Sequence, residues 1–170
     1  MSTRAPRPTD LVALVTFDED VRENLAVTRE RLARGNEAPM PVAAAIEQWL
    51  HLGRRMWVNV AGRQIRGIAT ARELAARHAW EIDTLIEADD VHDREVIADL
   101  LRQVIVSAED AEVTHILLRT RADSIAAETA PRTGFAPVET ERVWTGRLAP
   151  RSTTTRGVRD WTEDDAFASF

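Results

Sequence analysis

The spacing of hydrophobic positions changes several times along this chain, and each change marks an element. Residues 11–17 (LVALVTF) are a short, β-branched apolar run that predicts a strand, and Asp18, Glu19 and Asp20 then supply a cap and first-turn acids for a helix. In that helix Val21, Leu25, Thr28 and Leu32 recur at helical spacing, Arg29, Arg31 and Arg34 gather near its C-terminal end, and Gly35 stops it. Pro41 suits the first turn of a second helix running through Ile46, Trp49 and Leu50 to Gly53. The period then drops to two. Residues 56–60 and 65–71 flank Ala61-Gly62-Arg63, and residues 80–87 (WEIDTLIE) alternate, which predicts an antiparallel meander. Residues 74–78 read equally as a loop or as a widened hairpin connection.

Residues 96–106 carry the clearest helical pattern. Val96, Leu100 and Val104 form one line and Ile97, Leu101 and Ile105 the next, a stripe wide enough to pack on a sheet. Residues 115–119 (HILLR) are almost wholly apolar, as expected of a central strand buried on both faces. A helix follows from Ser124 toward Ala130, Pro131 and Gly134 end it, and residues 135–146 give a last strand. This order predicts a mixed, mostly antiparallel α/β sheet with helices on both faces and a β-α-β crossover. Residues 1–8 read as a flexible polar tail, 9–146 as the domain and 147–157 (RLAPRSTTTRG) as a linker. Residues 158–170 read as the start of a second domain or a packing tail.

Composition narrows the partners. A chain of 170 residues, 44% hydrophobic and 29% charged, suits one globular domain. The net charge of −6 argues against nucleic-acid binding, which needs a basic face. Without cysteine there is no disulfide framework, thiol nucleophile or Cys-based zinc site. The first thirty residues lack a signal-peptide pattern, and no run approaches the length of a membrane span, so a cytoplasmic location off the membrane is expected. All 22 basic residues are arginine and there is no tyrosine. The arginine and alanine bias fits a GC-rich genome, and the missing tyrosine removes one possible acid from any active site.

Candidate chemistry concentrates at residues 86–101 (IEADDVHDREVIADLL), a strand-to-helix turn of the kind that binds phosphate through exposed amides and the helix dipole. This turn has no glycine and holds Asp89, Asp90, Asp93 and Glu95, which serve equally as caps and dipole partners of the helix. His92 with the three aspartates lacks the spacing and turn glycine of a calcium loop, and His51, His78 and His115 share no metal-ligand spacing, so no metal is expected. Ser107, Ser124 and Ser152 have no nucleophile-elbow context.

The element order, the 80–87 strand with its long helix, the HILLR strand and Thr133-Gly134-Phe135 before the last strand together resemble the GNAT N-acetyltransferase superfamily over residues 9–146. The resemblance implies acetyl-CoA as cofactor and an amine as acceptor. The pantetheine would pair with a strand edge opened by the splay of the fourth and fifth strands, and backbone amides near Leu85 and Ile86 would polarise the thioester carbonyl. The pyrophosphate would sit on the turn opening the long helix, at Arg94, Glu95, Val96 and Ile97. Family members usually have glycines where Glu95 and Ile97 stand, to admit phosphate to the backbone, and a carboxylate there repels it. The tyrosine that many members use to protonate the leaving thiolate corresponds to Ala130. Glu81 and Asp83, expected as exposed acids on one face of their strand, are the candidate bases.

Trp49, Trp57, Trp80 and Trp144 read as core or interface anchors. Trp161-Thr162-Glu163-Asp164 echoes Phe17-Asp18-Glu19-Asp20 and resembles the opening of a second such domain, as in bacterial tandem proteins where one half does not bind CoA. Residues 147–170 cannot complete one, so the chain is read either as truncated or as carrying a tail that packs on a neighbour, with a homodimer as one outcome. Two functions are therefore carried forward. One is an acetyl-CoA-dependent N-acyltransferase acting on an unknown amine. The other is a degenerate, non-catalytic domain that binds a protein partner or small ligand.

Overall fold

The computed structural model describes residues 2–18, 23–28, 40–74, 78–88 and 93–142. Five strands, β1 (Ser2–Arg4), β2 (Arg54–Ala61), β3 (Gln64–Leu74), β4 (Ala79–Glu87) and β5 (His115–Leu118), form one sheet in the order β1-β2-β3-β4-β5. The first four pair antiparallel and β4 pairs parallel with β5. Helices α1 (Leu11–Asp18) and α2 (Pro41–Trp49) precede β2, α3 (Arg94–Asp110) makes the β4-α3-β5 crossover, and α4 (Ile125–Thr129) follows β5.

The meander forms where alternation predicted it. Its first hairpin closes through Gly62-Arg63, with Ala61 opposite Gln64 and Gly62 at φ +63°, as a two-residue loop led by glycine requires. Each sheet face carries its own core. Trp57, Ala69, Trp80, Ile82 and Leu85 pack under the stripe of α3, and Met56, Val58, Ile68 and Ile86 pack with Leu14 and Phe17 of α1 and Ala44 and Ala45 of α2. On β4 the α3-facing set runs 80, 82, 85, a break in strict alternation. Thr84 pairs with Thr70 and Ile82 with Ala71, so Asp83 is an extra, bulged residue that absorbs the odd step.

Several expectations fail, each for an identifiable reason. Residues 11–17 are helical rather than extended: Leu14 and Phe17, three apart, are buried while Val12 is 78% exposed. The first strand lies in the opening residues read as a tail. There Arg4 forks onto Asp10, with Nη1 and Nη2 at 2.6 and 2.9 Å from its two oxygens, and clamps β1 to the 3-10 turn leading into α1. Residues 23–28, expected inside a helix, are not helical. The β5 strand is not buried on both faces: His115 and Leu117 are exposed while Ile116 and Leu118 lean on the α3-side core. Residues 135–142 form no strand. Residues 75–77, the acids and histidine at 89–92, Trp144, and the linker and second-domain readings at 147–170 lie outside the described residues.

Candidate active site at the β4–β5 cleft

β4 and β5 run together only from Ala79 opposite His115 to Ile82 opposite Leu118. Beyond Ile82 the strands part at the Asp83 bulge, and the opening is filled by residues 24–27. On one side Asn24 pairs with β4 as a backbone amide would: its Nδ2 donates to Asp83 O at 3.0 Å and its Oδ1 accepts from Leu85 N at 2.9 Å. Leu25 N then donates to Leu85 O at 2.8 Å. On the other side Val27 N donates to Arg119 O at 2.8 Å, and Ala26 bridges Thr120 antiparallel. Asn24 and Ala26 are buried. The same Asn24 Oδ1 also accepts from Ala26 N at 3.1 Å, an Asx turn that holds the segment away from helical geometry.

The sequence-predicted residues sit around this cleft in unequal roles. The Leu85 amide faces it. Successive strand amides point to opposite edges, so that of Ile86 faces β3, as does that of Ala88, which donates to Arg66 O at 2.9 Å. Glu81 and Asp83 belong to neither the α3-side core nor solvent: they are 4% and 2% exposed, where exposed strand acids were expected. Glu81 is held by Arg72, with Nε at 2.9 Å and Nη2 at 2.7 Å, and by Arg119 on its other oxygen. Asp83 accepts from Thr70 Oγ1 at 2.5 Å and pairs with Arg54 Nη1 at 3.0 Å, and Arg54 Nε also reaches Glu47 at 2.6 Å. Each carboxylate is thus engaged by donors on both of its oxygens.

At the opening of α3, Asp93 is the N-cap: its Oδ1 accepts from Glu95 N at 3.0 Å and its carbonyl from Val96 N at 3.0 Å. Arg94 is exposed and turned to Glu128, 2.5 Å away. Glu95 is exposed, whereas Val96 and Ile97 are buried in the α3-side core, so their side chains serve packing. Ala130, also in that core, accepts from Phe135 N at 3.2 Å, and Gly134 at φ +109° makes the turn between them. Among the described residues no cluster of three or more His, Asp or Glu side chains is arranged to hold a metal, and no helix is long and apolar enough to cross a membrane. A depression of about 780 Å³ lies elsewhere, lined by Arg4, Asp10, Phe17, Arg63 and Arg66 among others, and its lining includes none of Asn24, Glu81, Asp83, Leu85 or residues 93–97.

No protein-family model and no curated protein matches the sequence. Solved structures do. A probable acetyltransferase superposes with a TM-score of 0.60 at 12% identity, over 89% of this chain and all of that one. A putative acetyltransferase from Agrobacterium tumefaciens str. C58 gives 0.55 at 19%, over 87% of this chain and all of the other. A ribosomal-protein-alanine N-acetyltransferase from Brucella melitensis gives 0.53 at 22%, over 78% and 82% of the two chains. The chain has the GNAT acetyltransferase fold. At these identities the likeness is one of fold.

The GNAT resemblance implies acetyl-CoA, and the groups present do not fit it as they stand. The β4 edge that the pantetheine would use is bonded to Asn24 and Leu25, and in the first turn of α3 the Glu95 and Val96 amides are bonded to Asp93, whose charge repels phosphate. Asn24 was the residue missed from sequence. Its one local signal was a poor helix former, prone to side-chain-to-backbone bonds, inside a stretch whose apolar spacing looked helical.

Proposed function

We propose that this chain is an N-acetyltransferase-like domain, built for acyl transfer from acetyl-CoA to an amine, in which cofactor binding and catalysis are impaired. The fold likeness supports the acetyltransferase half of this reading. The observation that carries the impairment is the internal satisfaction of the site: the cofactor-facing amide of Leu85 and the first-turn amides Glu95 and Val96 of α3 are all engaged by the chain itself. The acid chemistry points the same way, since Glu81 and Asp83 are tied to arginines and Ala130 stands where a tyrosine would protonate the thiolate.

Titration of the purified chain with acetyl-CoA by calorimetry, alongside a thiol-release assay over a panel of amines, tests this. The expected result is affinity weaker than about 100 μM, a binding free energy smaller in magnitude than roughly 5–6 kcal/mol, and no thiol release above background. Tighter saturable binding with turnover refutes impairment.

A second reading, a partner-binding or small-ligand module that no longer catalyses, is supported by apolar side chains left exposed on neighbouring helices. Leu11, Val12 and Val15 of α1 and Ile46 of α2 are 40–78% exposed, with Met40 beside them. Either reading accommodates a domain acting beside a second half or a second copy. Both place it in the cytoplasm, away from nucleic acid and membrane.

A further inference from the structure

The segment at residues 24–27 does something no loop needs to do: it completes a strand ladder inside a cleft between two diverging strands. The groups it satisfies are the Asp83 carbonyl, the Leu85 N–H and carbonyl, and the Arg119 carbonyl. Such groups are costly to leave unpaired at a buried strand edge, so something must cover them. The ligand that can replace this segment is defined by the same pattern. It must be narrow and extended and must carry amides that donate and accept along β4, as a peptide strand or a pantetheine-like arm does.

The means of attachment is also informative. On the Asp83 and Leu85 groups, the partner is a side-chain carboxamide, presented by Asn24 at 3.0 and 2.9 Å with the polarity of a secondary amide's C=O and N–H. These are neutral hydrogen bonds, of a kind that a ligand amide can replace. Beside the segment only an exposed ion pair, Glu23 with Arg121 at 3.5 Å, is seen among the described residues.

We propose that Asn24–Val27 is an internal occupant of the cofactor cleft, with the Asn24 carboxamide standing in for a ligand amide, and that an amide-bearing thioester arm binds only by displacing it. This rests on the acetyltransferase-like reading above and deepens it. The impairment at the β4 edge is then competitive and reversible, whereas the acids of the α3 turn act by charge. Displacement frees the Leu25 and Val27 amides, whose partners are Leu85 O and Arg119 O.

The test combines amide hydrogen exchange by NMR with calorimetric titration of CoA, on the wild-type chain, on Asn24→Ala and on Asn24→Asp. Asn24→Asp keeps the acceptor for Leu85 N but loses the donor to Asp83 O, and it serves if the alanine variant does not fold. In wild type without CoA, the Leu85, Leu25 and Val27 amides should be protected. Asn24→Ala should expose Leu85 N–H to exchange and bind CoA about tenfold tighter, with Asn24→Asp in between. Millimolar CoA should deprotect the Leu25 and Val27 amides of wild type. CoA binding that leaves those amides protected, with equal affinity in all three proteins, overturns the displacement and leaves the acetyltransferase-like reading intact. Loss of Leu85 protection in a folded variant with no CoA binding to any of the proteins also overturns the displacement, because the open edge then recruits no such arm, whereas tight CoA binding with turnover by the wild-type chain overturns the impaired reading instead.

Discussion

Gly67 is where the sheet lets α3 come down. It lies in β3 opposite Asn59 and Glu87, and a Cβ added there would meet Val96 Cγ1 at 2.7 Å and both Ile86 O and Leu100 Cδ1 at 3.0 Å. The leucine methyl can rotate away, but Ile86 O belongs to the backbone of β4 and Val96, 1% exposed in the α3 stripe, is stiff at χ1. Gly67→Ala must therefore push the N-terminal half of α3 off the sheet or strain the valine, an overpacking cost of about 1–3 kcal/mol. Restricting the unfolded chain returns about 0.4–1 kcal/mol. The net loss is about 1–2 kcal/mol, or a Tm lower by about 2–8 °C for a chain of this size. Thermal and urea unfolding of Gly67→Ala, Val96→Ala and the double variant form the assay. Removing Cγ1 relieves the clash, so the double variant should be more stable than the summed single losses by about 1 kcal/mol or more. Additivity within about 0.5 kcal/mol would refute the close approach as the reason for glycine.

Two further perturbations probe the N-terminal part. The Arg4 guanidinium, first, and the Arg7 N–H hold the Asp10 carboxyl below the usual carboxylate range. Its folded pKa is thus lower than its unfolded one, so the contribution to stability is complete above pH ~4–5 and lost as pH falls through the folded value. Asp10→Asn should lower Tm at pH 7 by an amount worth no more than about 1 kcal/mol, and the gap to wild type should close by pH ~2.5; a gap independent of pH contradicts the pairing. In α1, Leu14→Ala should cost about 2–4 kcal/mol and Val12→Ala less than about 0.5 kcal/mol, measured by urea unfolding. Equal losses would instead fit a strand, in which residues 12 and 14 share a face.

How much of this was legible follows from which interactions are local. The β2–β3–β4 meander and α3 came directly from period, because period reports which face is buried. Residues 11–17 were misread because an apolar run this short carries no period of its own. Leu14 and Phe17 alone mark a helix, and the Pro8-Thr9-Asp10 lead, which opens a 3-10 turn, was the available start signal. The next helix was expected to run through residues 23–28, where Leu25 and Thr28 keep helical spacing but the chain is not helical; the rest of that expected helix, residues 19–22 and 29–35, lies outside the described residues. The cleft was invisible for a different reason: Asn24 meets Asp83 and Leu85 across 59 and 61 residues of chain, and no local pattern encodes that meeting. The burial of Glu81 and Asp83 depends likewise on Arg54, Arg72 and Arg119 arriving from three other parts of the chain.

If the chain is the impaired acetyltransferase-like domain proposed above, the closures at its site differ in how readily they reopen, and that sets an order for any recovery of function. Asn24 holds the β4 edge by neutral bonds that a ligand amide can replace one for one, so the exchange is nearly balanced in enthalpy. Glu81 and Asp83 are held by charge-assisted bonds to arginines while nearly fully buried, and withdrawing an arginine from either would leave an uncompensated carboxylate in the sheet, a cost on the order of several kcal/mol. Binding should therefore return well before chemistry. A variant opened at Asn24 that gains affinity for the thioester should still transfer no acetyl group, because neither the base nor the phenolic acid returns when the edge is cleared. If Asn24→Ala alone restored turnover, the arginine-bound carboxylates would be shown to matter little to the reaction, and the impairment would reduce to the occupied cleft.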